Sequence, residues 1–219
     1  MPSSKRAAAT LAVTWVVLAT CVVGAGWLIT HPWQDGVDGF DDPISRWFAD
    51  GRTSGLTDVA DVGTYLGETV VGVAVVLVIG VGFSLWRRTW RPVVFVALVE
   101  AGLGGLYWLG TTLDPRQRPP VRILDAGLVP DASFPSGHVG TATAVAGCAI
   151  ALTWAYARAA RWYVVVLVVV PTCTLVSRLY LGAHHLTDTL TSLVYAAVWV
   201  AAVAVAVLPL RGSGTAPLP

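Results

Sequence analysis

Residues 162–188 read WYVVVLVVVPTCTLVSRLYLGAHHLTD. The first half of this stretch is almost wholly apolar, which is typical of a helix that crosses a bilayer. The second half carries Ser177-Arg178, His184 and Asp188. Charged and imidazole side chains are costly beside lipid, so those that lie next to an apolar span indicate a candidate functional site.

The composition of the whole chain is that of a membrane protein. Of its 219 residues, 55% are hydrophobic and 12% are charged, against about 25% charged residues in soluble domains. A crossing of about 30 Å needs about 20 apolar residues, and six runs meet this requirement. We therefore expect an all-α integral membrane bundle of six transmembrane helices in a single domain, residues 1–219. The runs are residues 7–30, 58–86, 92–113, 138–157, 162–183 and 187–210.

Six spans place both ends of the chain on one side of the membrane. Lys and Arg residues near span ends favour the cytoplasmic side. Eight basic residues near the span ends fall on the side of the termini, so we expect cytoplasmic termini, a plasma-membrane location and a site on the outer face. These residues are Lys5, Arg6, Arg87, Arg88, Arg91, Arg158, Arg161 and Arg211.

One outer loop has two open interpretations. Residues 43–48, Pro-Ile-Ser-Arg-Trp-Phe, either form a short amphipathic helix on the outer surface or belong to a plain loop. Glu68 and Asp61, near the outer end of the second span, are expected to be loop-side or capping residues.

Three polar segments converge on the outer face: one follows the third span, one opens the fourth, and one joins the fifth to the sixth. The planar guanidinium groups of Arg118 and Arg178 match phosphate oxygens bidentately and stay charged. Gly137 lets the backbone approach a ligand closely, and the free N–H groups of a helix start add partial positive charge there. Ser136 adds a hydroxyl donor. Together these groups predict a phosphate site.

Two histidines supply the chemistry. His184 and Asp188 are four residues apart, so on one helix they share a face, and the carboxylate is expected to bind the imidazole and to fix its tautomer. The other ring nitrogen of neutral His184 can then attack phosphorus to give a phosphohistidine. His138 would give a proton to the leaving group and accept one from water. Opposite protonation states of the two rings predict a bell-shaped pH profile.

These residues resemble the type 2 phosphatidic acid phosphatase superfamily, whose pattern is K-x₆-R-P, then P-S-G-H, then S-R-x₅-H-x₃-D. The second and third motifs are complete at 135–138 and 177–188, and R-P stands at 118–119. The resemblance implies a metal-independent lipid phosphatase without cofactor. Its implied catalytic residues are His184 as nucleophile, Asp188 as orienting partner and His138 as acid, and its implied phosphate ligands are Arg118, Ser136, Gly137 and Arg178.

The family lysine falls on Thr111, which can donate one hydrogen bond but carries no charge. Arg116 could take the place of the lysine from another direction, the site could be weaker but active, or catalysis could be lost. An active enzyme is the favoured interpretation.

The sequence leaves several alternatives open. The candidate substrates are undecaprenyl or another polyprenyl pyrophosphate, phosphatidic acid and phosphatidylglycerol phosphate. A protein that binds or transports lipid phosphates without turnover is the main alternative, whereas the hydropathy opposes a soluble haloperoxidase. His-x₃-Asp could also be an ion pair at a helix start or two ligands of a metal, but arginines nearby disfavour a cation. Glu100, inside the third span, could pair within the bundle or shape the site. His185 points away from His184 on a helix and is left out of the site. Membrane lipid is the expected partner, and nucleic acid is not.

Overall fold

Helices follow from the long apolar runs, because backbone polar groups inside a bilayer must bond to one another and a helix achieves this within one segment. The computed structural model describes residues 4–65 and 67–209. Within them the chain forms eight α-helices and no strand, which confirms the all-α prediction. The helices are α1 (Ser4–Thr30), α2 (Gln34–Asp50), α3 (Ser54–Tyr65), α4 (Thr69–Arg87), α5 (Arg91–Leu113), α6 (Gly137–Tyr156), α7 (Val169–Tyr180) and α8 (Leu186–Val207).

The six predicted membrane crossings are confirmed. In the described part of the chain, six helical segments are long and apolar enough to span a membrane. They are α1, α4, α5, α6, α8 and the continuous segment Tyr163–Tyr180, in which a 3₁₀-helix leads into α7. This last segment has 18 residues, and at 1.5 Å per residue it extends about 27 Å, close to the thickness of the hydrocarbon core.

The predicted limits of the second span, residues 58–86, are wrong on the N-terminal side. The structure divides this run into α3, which ends at Tyr65, and α4, which begins at Thr69. Hydropathy does not detect the break because both helices are apolar. A Cβ atom at Gly67 would lie 2.6 Å from the carbonyl oxygen of His138. The turn can therefore pack against the start of α6 only with glycine at this position.

The fifth predicted span, residues 162–183, also ends earlier than expected. The helix stops at Tyr180, and Gly182 turns the chain with a φ of 71°, a left-handed conformation that favours glycine. Residues 181–185 therefore form a short loop between α7 and α8. His184 lies in this loop rather than on a helix, which alters its expected partners.

The remaining predicted spans agree with the observed helices to within about three residues. Residues 7–30, 92–113 and 138–157 correspond to α1, α5 and α6, and residues 187–210 correspond to α8. The predicted end of the last span at residue 210, and Arg211 beyond it, lie outside the described residues.

Helix α2 settles the interpretation of residues 43–48 in favour of a helix, and it is longer than expected because it begins at Gln34. One side carries Asp41 and Ser45, both buried, while Trp47 on another side is 71% exposed. The helix contacts the ends of α1, α7 and α8. It therefore brings the buried carboxylate of Asp41 to the part of the bundle where the polar motifs lie.

Helices α5 and α8 pack closely against each other, and the polar motifs lie at one end of this packed pair. A Cβ atom at Gly102 would lie 2.2 Å from Nε1 of Trp199, and this nitrogen donates to the carbonyl oxygens of Leu98 and Val99 at 3.2 Å each. The alternating helices bring the ends of α1, α5 and α7 and the starts of α4, α6 and α8 together. We call this the site end of the bundle. Arg87 and Arg158 lie at the opposite end.

Candidate active site

A cavity of about 340 Å³ lies at the site end between α4, α5 and α6. Its wall includes four residues that the sequence motifs indicated: His138, His184, Arg118 and Gly137. The start of α6 supplies two of them, and the loop before α8 supplies His184. The structure thus brings residues from distant parts of the sequence to one cavity.

His184 is 4% exposed, and a main-chain carbonyl holds its ring. Nδ1 lies 2.6 Å from the carbonyl oxygen of Ser133. Because a carbonyl oxygen only accepts, Nδ1 carries the proton and donates it, which leaves the lone pair of the neutral ring on Nε2. Burial lowers the pKa of His184 well below its usual value of 6.5, and the charge of Arg178 lowers this pKa further. The ring is therefore neutral at pH 7.

Asp188 does not bind the ring of His184 as expected, and that prediction is wrong. Its Oδ1 accepts from Nη1 of Arg116 at 2.6 Å, while its Oδ2 accepts from Oγ of Ser133 at 2.6 Å and from the backbone N–H of His185 at 2.9 Å. The reason is that α8 begins at Leu186, so His184 and Asp188 do not share a helical face. The carboxylate turns back to cap its own helix.

Ser133 connects Asp188 to His184 indirectly. Its hydroxyl donates to the carboxylate, and its carbonyl accepts from the imidazole. Asp188 therefore orients the residue that orients the histidine. His185, which was left out of the predicted site, lies in the same cluster: it is 3% exposed, and its Nδ1 lies 3.3 Å from Oδ2 of Asp188.

Arg116 is not a substitute for the family lysine, and that expectation is wrong. Its guanidinium is 5% exposed and binds side chains from α2 and α8. Nη1 donates to Oδ1 of Asp188 and to Oγ1 of Thr187 at 2.8 Å, while Nη2 donates to Asp38 at 2.9 Å and to Asp41 at 3.0 Å. Burial alone would lower the pKa of Arg116, but the carboxylates outweigh it and raise this pKa above its usual value. Arg116 is a structural cation.

Thr111 lies on α5 beyond the cavity. Among the described residues of α5, those that line the cavity extend from Glu100 to Tyr107, so Thr111 is one helical turn past them. Its buried Oγ1 has no hydrogen-bond partner in the described part of the chain. The position of the family lysine is thus neither occupied by a charge nor replaced by Arg116.

Arg118 lines the cavity and also braces the loop that covers it. Nε donates to the carbonyl oxygen of Val129 at 2.8 Å, Nη2 donates to that of Ala132 at 3.0 Å, and Nη1 donates to that of Ala183. A guanidinium has five N–H donors. Two hydrogens of Arg118 therefore stay available to an anion in the cavity.

Arg178 and Ser136 hold buried donors without partners. Arg178 is fully buried; its Nη1 donates to Oδ2 of Asp125 at 2.6 Å. Within residues 4–65 and 67–209, neither Nε nor Nη2 of Arg178 has a hydrogen-bond partner, and the same holds for Oγ of Ser136. A buried unpaired donor costs about 1–3 kcal/mol. Arg178 and Ser136 are not among the residues that line the cavity, but both lie at the site end of the bundle, and their three unpaired donors indicate a place for an acceptor-rich ligand there.

Two acidic residues of the site, Glu68 and Asp125, do not belong to any of the sequence motifs. Oε2 of Glu68 lies 3.4 Å from Nε2 of His138, although Glu68 was expected only to cap a helix or lie in a loop. Asp125 binds Arg178 from the loop between α5 and α6. Neither lies at a motif spacing, and a tertiary contact is the only signal that identifies them. Glu100 lines the deep part of the cavity, and its Oε1 is buried without a partner among the described residues.

The described residues contain no group of three or more His, Cys, Asp or Glu side chains with the geometry of a metal site. The cationic groups near the histidines are instead Arg118 and Arg178, which favour an anion.

The chain is similar to known proteins in both sequence and fold. Residues 90–211, more than half of the chain, match the sequence model of the PAP2 superfamily. None of the curated proteins compared with the chain matches it. The fold is similar to the crystal structure of a transmembrane PAP2 type phosphatidylglycerolphosphate phosphatase from Bacillus subtilis, with a TM-score of 0.72 and 23% identity. The likeness covers 89% of this chain and 92% of that one.

The role of Arg116 predicts a large loss of stability for Arg116→Met. Without the guanidinium, the buried carboxylates of Asp41 and Asp188 are unpaired, which costs about 3–5 kcal/mol and lowers the unfolding temperature in detergent by about 10 °C. The matched control is Asp38→Asn, since Asp38 is 37% exposed, and its loss should cost at most about 1 kcal/mol. An Arg116→Met protein that melts like the wild type would contradict this role.

Proposed function

We propose, because the chain belongs to the PAP2 superfamily, that it is a membrane phosphatase that removes the terminal phosphate from a lipid phosphate or polyprenyl pyrophosphate. The observation that carries the proposal is the neutral ring of His184, held at Nδ1 by Ser133 and facing a cavity that also holds His138 and Arg118. A nucleophile, an acid and an anion clamp thus face one space.

The phosphate is held by donors that lack partners without substrate. Nε and Nη2 of Arg178 form one edge of the guanidinium and fit two phosphate oxygens. Oγ of Ser136 and the free N–H groups at the start of α6 bind the other oxygens, and Arg118 adds charge from the covering loop. Such preorganised donors stabilise the charge on the equatorial oxygens of the transition state.

Phosphoryl transfer then takes two steps. Nε2 of His184 attacks phosphorus as the bond from phosphorus to the leaving oxygen breaks, and protonated His138 gives its proton to that oxygen. The phosphorylated ring keeps its Nδ1–H on the carbonyl of Ser133. His138, now neutral, takes a proton from water; the resulting hydroxide attacks phosphorus, the P–N bond breaks, and inorganic phosphate leaves. The residues that carry these steps need no metal ion or cofactor.

The walls of the cavity suit an amphiphilic substrate. From the histidines the cavity follows α5 past Tyr107 and Leu103 to Glu100, with Val73 of α4 opposite. Seven residues of a helix rise about 10 Å, so the cavity extends well below the level of the phosphate site. The hydrocarbon part of a lipid fits this apolar cleft while its phosphate meets the arginines. Undecaprenyl pyrophosphate, phosphatidic acid and phosphatidylglycerol phosphate all meet this description.

We place the chain, as a single membrane domain, in the plasma membrane with cytoplasmic termini. Arg87, Arg88 and Arg158 lie at the end of the bundle opposite the site, and positive residues favour the cytoplasm. The site end, with the acidic residues of α2, then faces outward. Substrate would be drawn from the outer leaflet.

A second candidate function is lipid-phosphate binding or transport without turnover. The observation that favours it is the absence of the family lysine, since Arg116 is bound to carboxylates and Thr111 lies beyond the cavity wall.

A panel of lipid phosphates and pyrophosphates separates these functions. In detergent, with excess chelator, we expect the wild type to release inorganic phosphate from at least one substrate, and His184→Ala to lose at least about 10³-fold in rate because the nucleophile is gone. His31→Ala is the control, since this histidine is exposed at the end of α1. A wild type that binds these lipids but releases no phosphate would support the binding function instead.

The lowered pKa of His184 predicts an unusual acidic limb in the pH profile. His184 attacks only when neutral, so kcat/KM should persist as the pH falls through 6.5 and decline only at clearly lower pH. The charge of Arg118 helps to lower this pKa. Arg118→Gln should therefore move the acidic limb to higher pH, whereas Arg118→Lys, which keeps the charge, should leave it in place. Equal shifts in both variants would refute this electrostatic origin.

A further inference from the structure

The loop between α5 and α6 places a carboxylate on one side of Arg178. Oδ2 of Asp125 lies 2.6 Å from Nη1 of this arginine, and Oγ1 of Thr64 lies 3.5 Å from the same nitrogen. Arg178 is fully buried, whereas the side chain of Asp125 is 27% exposed. None of the sequence motifs includes Asp125.

The edge of the guanidinium that faces away from Asp125 makes no hydrogen bond to the described residues. Nε and Nη2 point along the opposite edge, and in the described part of the chain neither has a hydrogen-bond partner. Two parallel N–H groups on one edge match two oxygens of a phosphate. Because Asp125 binds Nη1 alone, it does not compete with phosphate for that edge. It limits rotation of the guanidinium instead.

Asp125 is itself held against the end of α7. The backbone N–H of Leu124 donates to the carbonyl oxygen of Leu181 at 2.9 Å. Arg52 joins the same two segments, since it donates from Nε to the carbonyl of Tyr180 at 2.9 Å and from Nη1 to that of Arg122 at 2.7 Å. The carboxylate and the arginine are therefore fixed in one frame.

We infer that Asp125 is a positioning residue: it holds Arg178 by Nη1 so that the Nε–Nη2 edge is presented to a tetrahedral oxyanion before the ligand arrives. The inference rests on the proposed phosphate site, and it assigns the orientation of the arginine to a loop carboxylate. A carboxylate close to a phosphate site also repels the ligand. Asp125 is tolerated there because it neutralises a buried guanidinium that would otherwise lack a counter-ion.

The test measures binding rather than turnover, so that it does not depend on catalysis. Orthovanadate, a tetrahedral mimic of phosphate, is titrated calorimetrically into the purified full chain in detergent. Asp125→Asn keeps the shape of the side chain but removes its charge, and should weaken vanadate binding about tenfold, the scale of one charge-assisted hydrogen bond. Asp131→Asn is the matched control, because Asp131 lies in the same loop and is exposed; its affinity should equal that of the wild type.

A second variant and a double variant complete the test. Asp125→Glu keeps the charge but displaces it, and should weaken binding about threefold, which also covers the case that Asp125→Asn does not fold. Arg178→Lys lacks the fork, so adding Asp125→Asn to it should change affinity by less than about twofold. Unchanged or tighter binding in Asp125→Asn, or a full tenfold effect in the Arg178→Lys background, would overturn the inference. A wild type that binds vanadate but hydrolyses no lipid would refute the proposed function and leave the role of Asp125 intact.

Discussion

The site end of this protein depends on one buried ion pair, between Arg116 and Asp188. Both side chains are almost inaccessible to solvent, so neither charge is tolerable without the other. The pair joins three parts of the chain: the loop between α5 and α6, the start of α8, and α2 through Asp41. Helix α2 is not one of the six membrane-spanning segments in the described part of the chain. It packs against the site end because its Asp41 also binds Arg116. The position of the active-site loop thus follows from charge neutralisation.

Ser133 links this ion pair to His184, the proposed nucleophile. Asp188 fixes the hydroxyl of Ser133, whose carbonyl then fixes Nδ1 of His184. The carbonyl of Ser133 selects the tautomer of His184. Burial and the charge of Arg178 lower the pKa of this ring and outweigh the opposing effect of the hydrogen bond to Ser133. The three arginines accordingly have separate duties. Arg116 neutralises carboxylates, Arg118 braces the covering loop, and one edge of Arg178 has no hydrogen-bond partner among the residues that the structure describes.

Much of this arrangement could be predicted from the sequence, because two of its signals are local. Apolar runs mark the spans, and the motif spacings place His138, His184 and Arg178 at one end of the bundle. What could not be predicted depends on packing between distant segments. The break at Gly67 follows from contact with α6. The partner of Asp188 depends on whether α8 begins before or after His184. A difference of one helical turn in the start of α8 decides this. Asp125 lies at no fixed spacing from its arginine.

In the proposed mechanism, His184 attacks phosphorus with the nitrogen that Ser133 leaves unprotonated. The most direct measurement is rapid quenching of His138→Ala with a lipid substrate labelled in its terminal phosphate, followed by peptide mapping. His138 serves both steps, so the substrate is a polyprenyl pyrophosphate, whose leaving group is a phosphate that departs without a proton more readily than an alkoxide does. The loss of His138 then slows the attack by water more than the first transfer, and the phosphoenzyme accumulates. We expect an acid-labile, base-stable label on the peptide that contains His184, bonded at Nε2. Turnover with no label at His184, or a label on another residue, would contradict it.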